Sequence, residues 1–415
     1  MPPTLALSEL LGASVYDVNG VFSGRVREVA LAPQDDAARV SALVVRTPQG
    51  DRMLTAKLIQ ELSASTVRAA TRAEDWAVMG SSEGFLLLER DLLDQQIIDV
   101  HGRKVVRVND VEFMLERTNG HPALKIQEVE VGLRGAVRRL LKGVVPRRAV
   151  AALALRLAAK PIPWEFVDLI ETDPARRVKL KIEHDRLSRL HPADIADILE
   201  ELAPAEREAV FGSLDEEVAA EALEEIDPKL QTQLVESLDS DHAADIVEEM
   251  APDAAADLLE NLPQETSEEI LEEMEAEERE EVEELLEFHE DTAAGRMTTE
   301  YLSVAPTATV EQAIEILRGY EGAVETISTI YLVDAAEKCT GSVPLAMLAL
   351  APSHTVMQTL VTAPLVSCPP EARDAEVVEL FDKYNLLTLP VLDAEGRIQG
   401  VITADDIISL LRKKL

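Results

Sequence analysis

A 12-residue pattern recurs eight times between residues 191 and 286, and it constrains the fold more than any other feature. Each unit ends in an apolar residue and carries a second one four positions earlier. This spacing places both on one helical face. Four units have proline at their second position, where a helix accepts it as its first residue. Helices this short must stack to bury their apolar faces, so the pattern predicts an all-α superhelix. The units end at Leu202, Leu214, Ile226, Leu238, Met250, Leu262, Met274 and Leu286.

The same region carries most of the charge. The chain has a formal net charge of -38, and residues 191–290 hold 36 acidic residues against three basic ones. Because nucleic-acid binding depends on Lys and Arg neutralising phosphates, this charge argues against a nucleic-acid partner. We expect the acids to lie on the outer surface of the superhelix and to favour a cationic partner.

The first 132 residues contain a second repeat, with an offset of 82. The run DVNG at residues 17–20 recurs as DVHG at 99–102, and RVREV at 25–29 recurs as RVNDV at 107–111. Each copy reads as a strand, a glycine turn and a second strand, which is typical of a small β-barrel. We expect two barrel-like units, at about residues 5–75 and 90–132. The turn and the Arg/Val strand resemble the PRC-barrel family.

Residues 133–189 are predicted to be a basic helical linker and a connector that contains strands. Between Arg134 and Lys160 there are eight basic residues and no acid, with Pro146 as a break between two short helices. Three interpretations stay open: docking of this cationic segment on the acidic region, contact with a membrane surface or transporter, and nucleic-acid binding.

A strand–helix–strand–strand–helix pattern then occurs twice, at residues 297–351 and 361–415. The second copy closes with GVITADD at residues 400–406, which resembles the end of a CBS domain, and two CBS domains normally pack as a pair. The fold class expected for the whole chain is therefore multidomain α+β. It combines barrel-like N-terminal units, an all-α acidic superhelix at residues 190–290 and a tandem α/β CBS pair.

Residues 190–415 as a whole are similar to the cytosolic half of MgtE magnesium transporters. The resemblance is carried by LHPADIADILEEL at residues 190–202, by EDT at 290–292 and by the CBS pair. In that family, Mg²⁺ ions bind between the helical domain and the CBS pair, and the compact ion-bound form closes a pore. The metal ligands that the resemblance implies here are Glu221, Asp253, Asp257 and Asp406, with Asn385 where the family can have an aspartate. Arg373 and Ser409 replace two further acidic ligands, which implies fewer ions or weaker binding.

The resemblance also implies an adenine-nucleotide site, because CBS pairs often bind such nucleotides. By the family pattern Thr403 would meet phosphate and Asp406 the ribose hydroxyls. The first copy has Pro344 and Met347 at these places, so at most one site is expected. Asp406 is thus a candidate for two ligands that compete.

Several classes of protein are disfavoured. The sequence lacks a phosphate-binding glycine loop, a zinc-spaced Cys/His set and a nucleophile elbow, so we predict that the chain is not an enzyme. The longest apolar stretch, residues 149–159, is interrupted by Arg156 and is too short to span a bilayer. No secretory signal is readable. We expect a cytoplasmic protein, with the inner face of the membrane as a second, peripheral location.

The leading hypothesis is a soluble Mg²⁺-responsive regulatory protein that forms a homodimer through its CBS pair and uses the barrel-like units for docking. One alternative is an adenine-nucleotide-sensing adaptor whose acidic superhelix binds protein. Another is the soluble subunit of a split magnesium transport system, in which a membrane transporter would be the partner.

Overall fold

The chain folds into two compact units, residues Met1–Ile226 and Asp227–Leu415. This computed structural model describes residues 4–80, 84–118, 121–141, 157–170, 186–286, 288, 292–320 and 327–414. It contains N-terminal sheets, a series of short helices and two α/β modules. The expected α+β class is therefore confirmed.

The strands described in the first unit form three sheets. Strands β6, β7, β2, β3, β4, β5 and β8 lie side by side in that order, and β9 also pairs with β3. The second sheet has the order β1-β12-β13-β14 and the third has β11-β10-β15. The strands are β1 (Thr4–Ala6), β2 (Ser14–Tyr16), β3 (Phe22–Leu31), β4 (Val40–Thr47), β5 (Gly50–Thr55), β6 (Ile59–Leu62), β7 (Thr66–Ala69), β8 (Ala77–Val78), β9 (Leu86–Leu87), β10 (Gln96–Asp99), β11 (Lys104–Arg107), β12 (Asp110–Thr118), β13 (His121–Glu130), β14 (Pro161–Pro163) and β15 (Val167–Leu169).

The predicted strand–turn–strand pattern is present in both copies of the 82-residue repeat. Asp17 closes the first turn, because its Oδ1 accepts hydrogen bonds from the backbone N–H groups of Asn19 and Val21 at 2.9 and 2.8 Å. Asp99 accepts from the N–H of Gly102 at 2.9 Å in the second copy. The antiparallel pairs β2/β3 and β10/β11 follow.

The two copies exchange their first strands. Strand β1 begins the first copy but pairs with β12 of the second, whereas β9 begins the second copy and pairs with β3 of the first. Each exchanged strand leads into a one-turn helix, α1 (Leu7–Leu10) or α2 (Leu88–Asp91). The sheets of each copy therefore contain a strand from the other.

Two buried carboxylates, 82 residues apart, bind these exchanged segments. Asp110 accepts hydrogen bonds from the backbone N–H and the hydroxyl of Ser8, at 3.0 and 2.6 Å. Glu28 accepts from the N–H groups of Glu89 and Arg90, at 2.7 and 3.1 Å. Burial raises the pKa of both carboxyl groups. Strand β3 has a bulge between Val26 and Glu28, and Glu28 is buried.

Residues that were expected to form a linker take part in the second copy of the β repeat. Strand β14 pairs with β13, and β15 pairs with β10. The first predicted basic helix is α3 (Leu133–Leu140), whereas the second lies outside the described residues. In α3, Arg138 lies 3.3 Å from Asp110 and 2.8 Å from Glu112. This helix therefore places Arg138 on acids of the β repeat, and the three interpretations of the whole basic segment stay predictions.

Eight helices follow in the described part between residues 192 and 286, one for each 12-residue unit, as predicted. Proline is the first residue of four of them. His191 caps the first, because its Nδ1 accepts from the N–H of Ala193. The helices are α4 (Pro192–Glu201), α5 (Pro204–Phe211) and α6 (Glu216–Glu225) in the first unit, and α7 (Pro228–Val235), α8 (Ser240–Glu248), α9 (Pro252–Asn261), α10 (Gln264–Glu273) and α11 (Ala276–Leu286) in the second.

Within each unit, every second helix packs together: α4 against α6, α8 against α10, and α9 against α11. The first helix, α4, also contacts the β repeat. Asp194 pairs with Arg103 at 2.9 Å, and the Glu201 carboxylate accepts from the N–H of Val105 at 2.9 Å. The second copy of the β repeat and the start of the helical series are therefore one packed body.

The two α/β modules at the end of the chain share a helix–strand–strand–helix order, but the first strand predicted for the second module is reduced to a single parallel bridge between Cys368 and Val391. The first contains β16 (Leu302–Val304), α12 (Val310–Arg318), β17 (Thr329–Val333), β18 (Cys339–Pro344) and α13 (Leu345–Leu350); the second contains α14 (Asp374–Tyr384), β19 (Thr388–Leu392), β20 (Ile398–Thr403) and α15 (Ala404–Lys414). Tyr331 of one module donates a hydrogen bond to the hydroxyl of Thr388 in the other at 2.8 Å. In the described segments we find no helix with both the length and the apolarity that a bilayer span needs.

Candidate functional site

A short segment after the last acidic helix runs along the second α/β module. Ala293 and Ala294 donate backbone hydrogen bonds to the carbonyls of Ala372 and Pro370 at 2.7 and 3.0 Å. Thr298 then exchanges two hydrogen bonds with Val401 of β20, at 2.8 and 2.9 Å. This segment, residues 292–298, is called the clasp below. These backbone hydrogen bonds fix the clasp against the second module.

Helix α9 presents acidic residues towards the clasp. Asp253, Asp257 and Glu260 share one helical face and line a small pocket together with Gly295 and Met297 of the clasp. The pocket has a volume of about 10 Å³, which is room for about one water molecule. Asp253 and Asp257 are half-buried, and Glu260 is exposed. Sequence reasoning missed Glu260, although its spacing of three residues from Asp257 places it on the same face.

One arginine of the clasp lies among carboxylates from both sides. The Arg296 guanidinium is 3.9 Å from Asp257 of α9 and 3.6 Å from Asp374, the first residue of α14. The side chains of Arg296 and Asp374 are 15% and 10% exposed, so this pair is largely shielded from water, whereas Asp257 is 40% exposed. Sequence reasoning identified neither residue. The only available signal was an isolated arginine directly after a long acidic region.

Asp406 is hydrogen-bonded to Thr403, the residue that precedes its helix. Its Oδ2 accepts hydrogen bonds from the backbone N–H and the hydroxyl of Thr403, at 2.8 and 2.6 Å. Burial raises the pKa of the Asp406 carboxyl to about 6, against the opposing effects of these hydrogen bonds and of Arg296. The two residues predicted to hold a nucleotide are therefore hydrogen-bonded to each other in this structure.

The other predicted ligands are exposed. Glu221 lies on the surface of α6, in the first compact unit. Asn385 follows α14 with a φ of 50°, a left-handed conformation that asparagine adopts more readily than most residues. The structure thus gives Asn385 a backbone role at the end of a helix.

Mg²⁺ is commonly held by one or two carboxylates and several waters, and the pair Asp253 and Asp257 offers two carboxylates. Asp406 does not line their pocket. Across the described ranges, no group of three or more His, Cys, Asp or Glu side chains is arranged to hold a metal ion. In the described part of the second unit, Asp253 and Asp257 thus share one pocket, whereas the predicted ligands are not assembled into one metal cage.

The second unit joins acidic helices through the clasp to a pair of α/β modules. Residues 190–291 match the model of the MgtE intracellular N domain, and residues 293–352 and 356–413 match the CBS domain. This part of the chain is thus an MgtE N domain with a CBS pair, homologous to the cytosolic domain of MgtE magnesium transporters.

The individual relatives agree. The magnesium transporter MgtE of Thermus thermophilus is 35% identical over 127 residues, which are 31% of this chain and 28% of the transporter. The chain thus spans under a third of that relative. Among solved structures, the soluble part of a magnesium transporter is 25% identical with a TM-score of 0.53. The match covers 56% of this chain and 91% of that structure. The cytosolic domain of the Mg²⁺ channel MgtE in complex with ATP has 31% identity and a TM-score of 0.51, covering 54% and 92%.

Proposed function

We propose that this chain is a cytoplasmic Mg²⁺-responsive regulatory protein in which divalent cations bring the acidic helices and the CBS pair together. The observation that carries the proposal is the acidic face of α9, whose Asp253 and Asp257 point at the clasp that leads into the CBS pair. Carboxylates that approach one another without a cation repel, and a divalent ion between them reverses the sign of the interaction. Such a contact is a two-state element that a ligand can bias.

Small-angle scattering across a Mg²⁺ titration tests this proposal. We expect the wild-type radius of gyration to fall and then saturate as Mg²⁺ is added. The variant Asp253→Asn/Asp257→Asn should lose most of this change, because amides keep the shape of the side chains but not the charge that holds the ion.

The 12-residue repeat supplies a matched control. Asp241 and Asp245 occupy the same two places one unit earlier, on α8, and both are exposed. Asp241→Asn/Asp245→Asn removes the same charge from the neighbouring helix and should compact like the wild type. The proposal would be contradicted if the wild-type radius of gyration did not change with Mg²⁺. It would also be contradicted if both double variants lost the same share of the compaction.

Adenine-nucleotide sensing is a second candidate function, supported by the similarity to a structure that contains ATP. Here Thr403 would have to release Asp406 so that the hydroxyl could meet phosphate. Isothermal titration with ATP and AMP separates the two functions. Saturable binding that is lost in Thr403→Val, without compaction by Mg²⁺, would favour the nucleotide.

A membrane transporter and a second copy of the chain are the partners we infer. Large apolar side chains are exposed on the CBS pair, among them Tyr384, Leu387, Ile408 and Leu411, and a homodimer would cover such residues. Sedimentation equilibrium of Ile408→Asp/Leu411→Asp tests this. A dimer that forms as strongly as in the wild type would show that this face is not the dimer interface.

The β repeat, which resembles PRC-barrels, would dock on the transporter. Cross-linking of the intact chain in cells would identify that protein.

A further inference from the structure

We propose that Arg296 is a built-in cation that links the acidic helices to the CBS pair without metal and competes with Mg²⁺ for Asp257. Its bridging role stands on geometry alone, whereas its competition with Mg²⁺ rests on the function proposed above. Arg296 would thereby set how much Mg²⁺ the contact requires.

The backbone fixes this arginine in place. The clasp is hydrogen-bonded to the second CBS module on both sides of Arg296, through Ala293 and Ala294 before it and Thr298 after it. Gly400 of β20 allows this close approach, because a Cβ at that position would lie 2.7 Å from the carbonyl oxygen of Thr298. Arg296 therefore belongs to the CBS side, and its contact with α9 crosses to the helical side.

The carboxylates around Arg296 come from three elements. Asp257 belongs to α9, Asp374 to α14, and Asp406, whose charge Arg296 favours, to α15. At 3.6 and 3.9 Å the two measured pairs are ionic contacts longer than hydrogen bonds. A single guanidinium thus offsets part of the repulsion between carboxylates on the helical side and the CBS side. A divalent ion would do the same.

Arg296 also affects any ion that binds Asp257. An ion at that carboxylate would lie within several ångströms of the guanidinium, and the repulsion between the two cations would weaken binding. The surrounding acids leave the site negative overall, so the ion is opposed but not excluded. The contact would therefore be partly closed without Mg²⁺ and would respond to the ion only at a higher concentration.

The variant Arg296→Gln tests both roles in the full chain. In buffer with a chelator we expect its radius of gyration to exceed that of the wild type. Isothermal titration should show Mg²⁺ binding about tenfold more tightly, from the loss of one nearby positive charge. Arg296→Lys keeps the charge and should stay close to the wild type. Arg397→Gln, which removes a half-exposed arginine of the same CBS module, should change neither quantity.

The outcomes separate this inference from the proposed function. If Arg296→Gln has the same radius of gyration as the wild type in buffer with a chelator, the bridging role is overturned. This holds whether or not the wild type responds to Mg²⁺. If its Mg²⁺ affinity is unchanged or weaker, the competition is overturned. If Arg296→Gln expands while the wild type ignores Mg²⁺, the bridge stands and the proposed function fails. Circular dichroism of each variant will show whether an expansion reflects separation of the acidic helices from the CBS pair or unfolding. If Arg296→Lys also unfolds, the bridging role is overturned.

Discussion

Replacement of Asp110 by alanine is expected to lower the free energy of unfolding of the first unit by about 3–5 kcal/mol, the usual effect of removing one partner from a buried ion pair. Asp110 is fully buried, and its carboxylate accepts three hydrogen bonds, two from Ser8 and one from the backbone N–H of Val111. Alanine would leave these donors unpaired. It would also remove the charge beside Arg138, whose side chain is only 11% exposed.

Tryptophan fluorescence during urea unfolding measures this loss selectively, because both tryptophans of the chain, Trp76 and Trp164, lie in the first unit. Ser8→Ala removes one hydroxyl bond and should cost about 1 kcal/mol. Asp35→Ala, at an exposed carboxylate, should have almost no effect. A double-mutant cycle between Ser8 and Asp110 should give a clear coupling energy. A loss below 1 kcal/mol for Asp110→Ala would show that the carboxylate does not hold the exchanged segment.

Replacement of Leu258 by alanine is expected to destabilise the second unit by about 2–5 kcal/mol, the range for a leucine truncated in a packed core. Leu258 is 2% exposed and lies on α9 next to Asp257. We also expect the variant to lose compaction by Mg²⁺ although it keeps every charge, because the cavity would let α9 shift and turn its carboxylates away from the clasp. Calorimetry measures the stability, and scattering with Mg²⁺ measures the response.

The matched change is Glu269→Ala, which removes an exposed side chain from α10. It should leave the unfolding temperature and the Mg²⁺ response close to those of the wild type. Normal compaction in Leu258→Ala, despite its lower stability, would mean that the response does not depend on the position of α9.

The helical series was predictable because its signal is local and repeated. An apolar pair and a boundary in every 12 residues determine where each helix begins and ends, and proline at the first helical position sharpens four of the boundaries. The CBS pair was likewise predictable from its repeated strand and helix pattern. The hydrogen bond from Thr403 to Asp406 was also readable, because their spacing is that of a helix capping box.

The strand exchange and the surroundings of Arg296 were not predictable from local pattern. A repeat shows that two copies exist, but it does not show whether the strand at residue 4 pairs within its own copy or with the other. Asp257, Arg296 and Asp374 are far apart in sequence, and their proximity depends on how the clasp lies against the CBS module. The metal ligands came from resemblance, and Asp253 and Asp257 share a pocket that Asp406 does not line.

The exchange of first strands has a consequence for the order in which this chain can fold during synthesis. Because β3 pairs with β9, the first copy cannot complete its sheet until residues 86–91 have left the ribosome. Strand β1 is made before its partner β12, which follows more than 100 residues later. The segment that forms β1 therefore has no partner strand until β12 has been made. A nascent chain stalled near residue 80 should be much more sensitive to protease than one stalled well beyond residue 170.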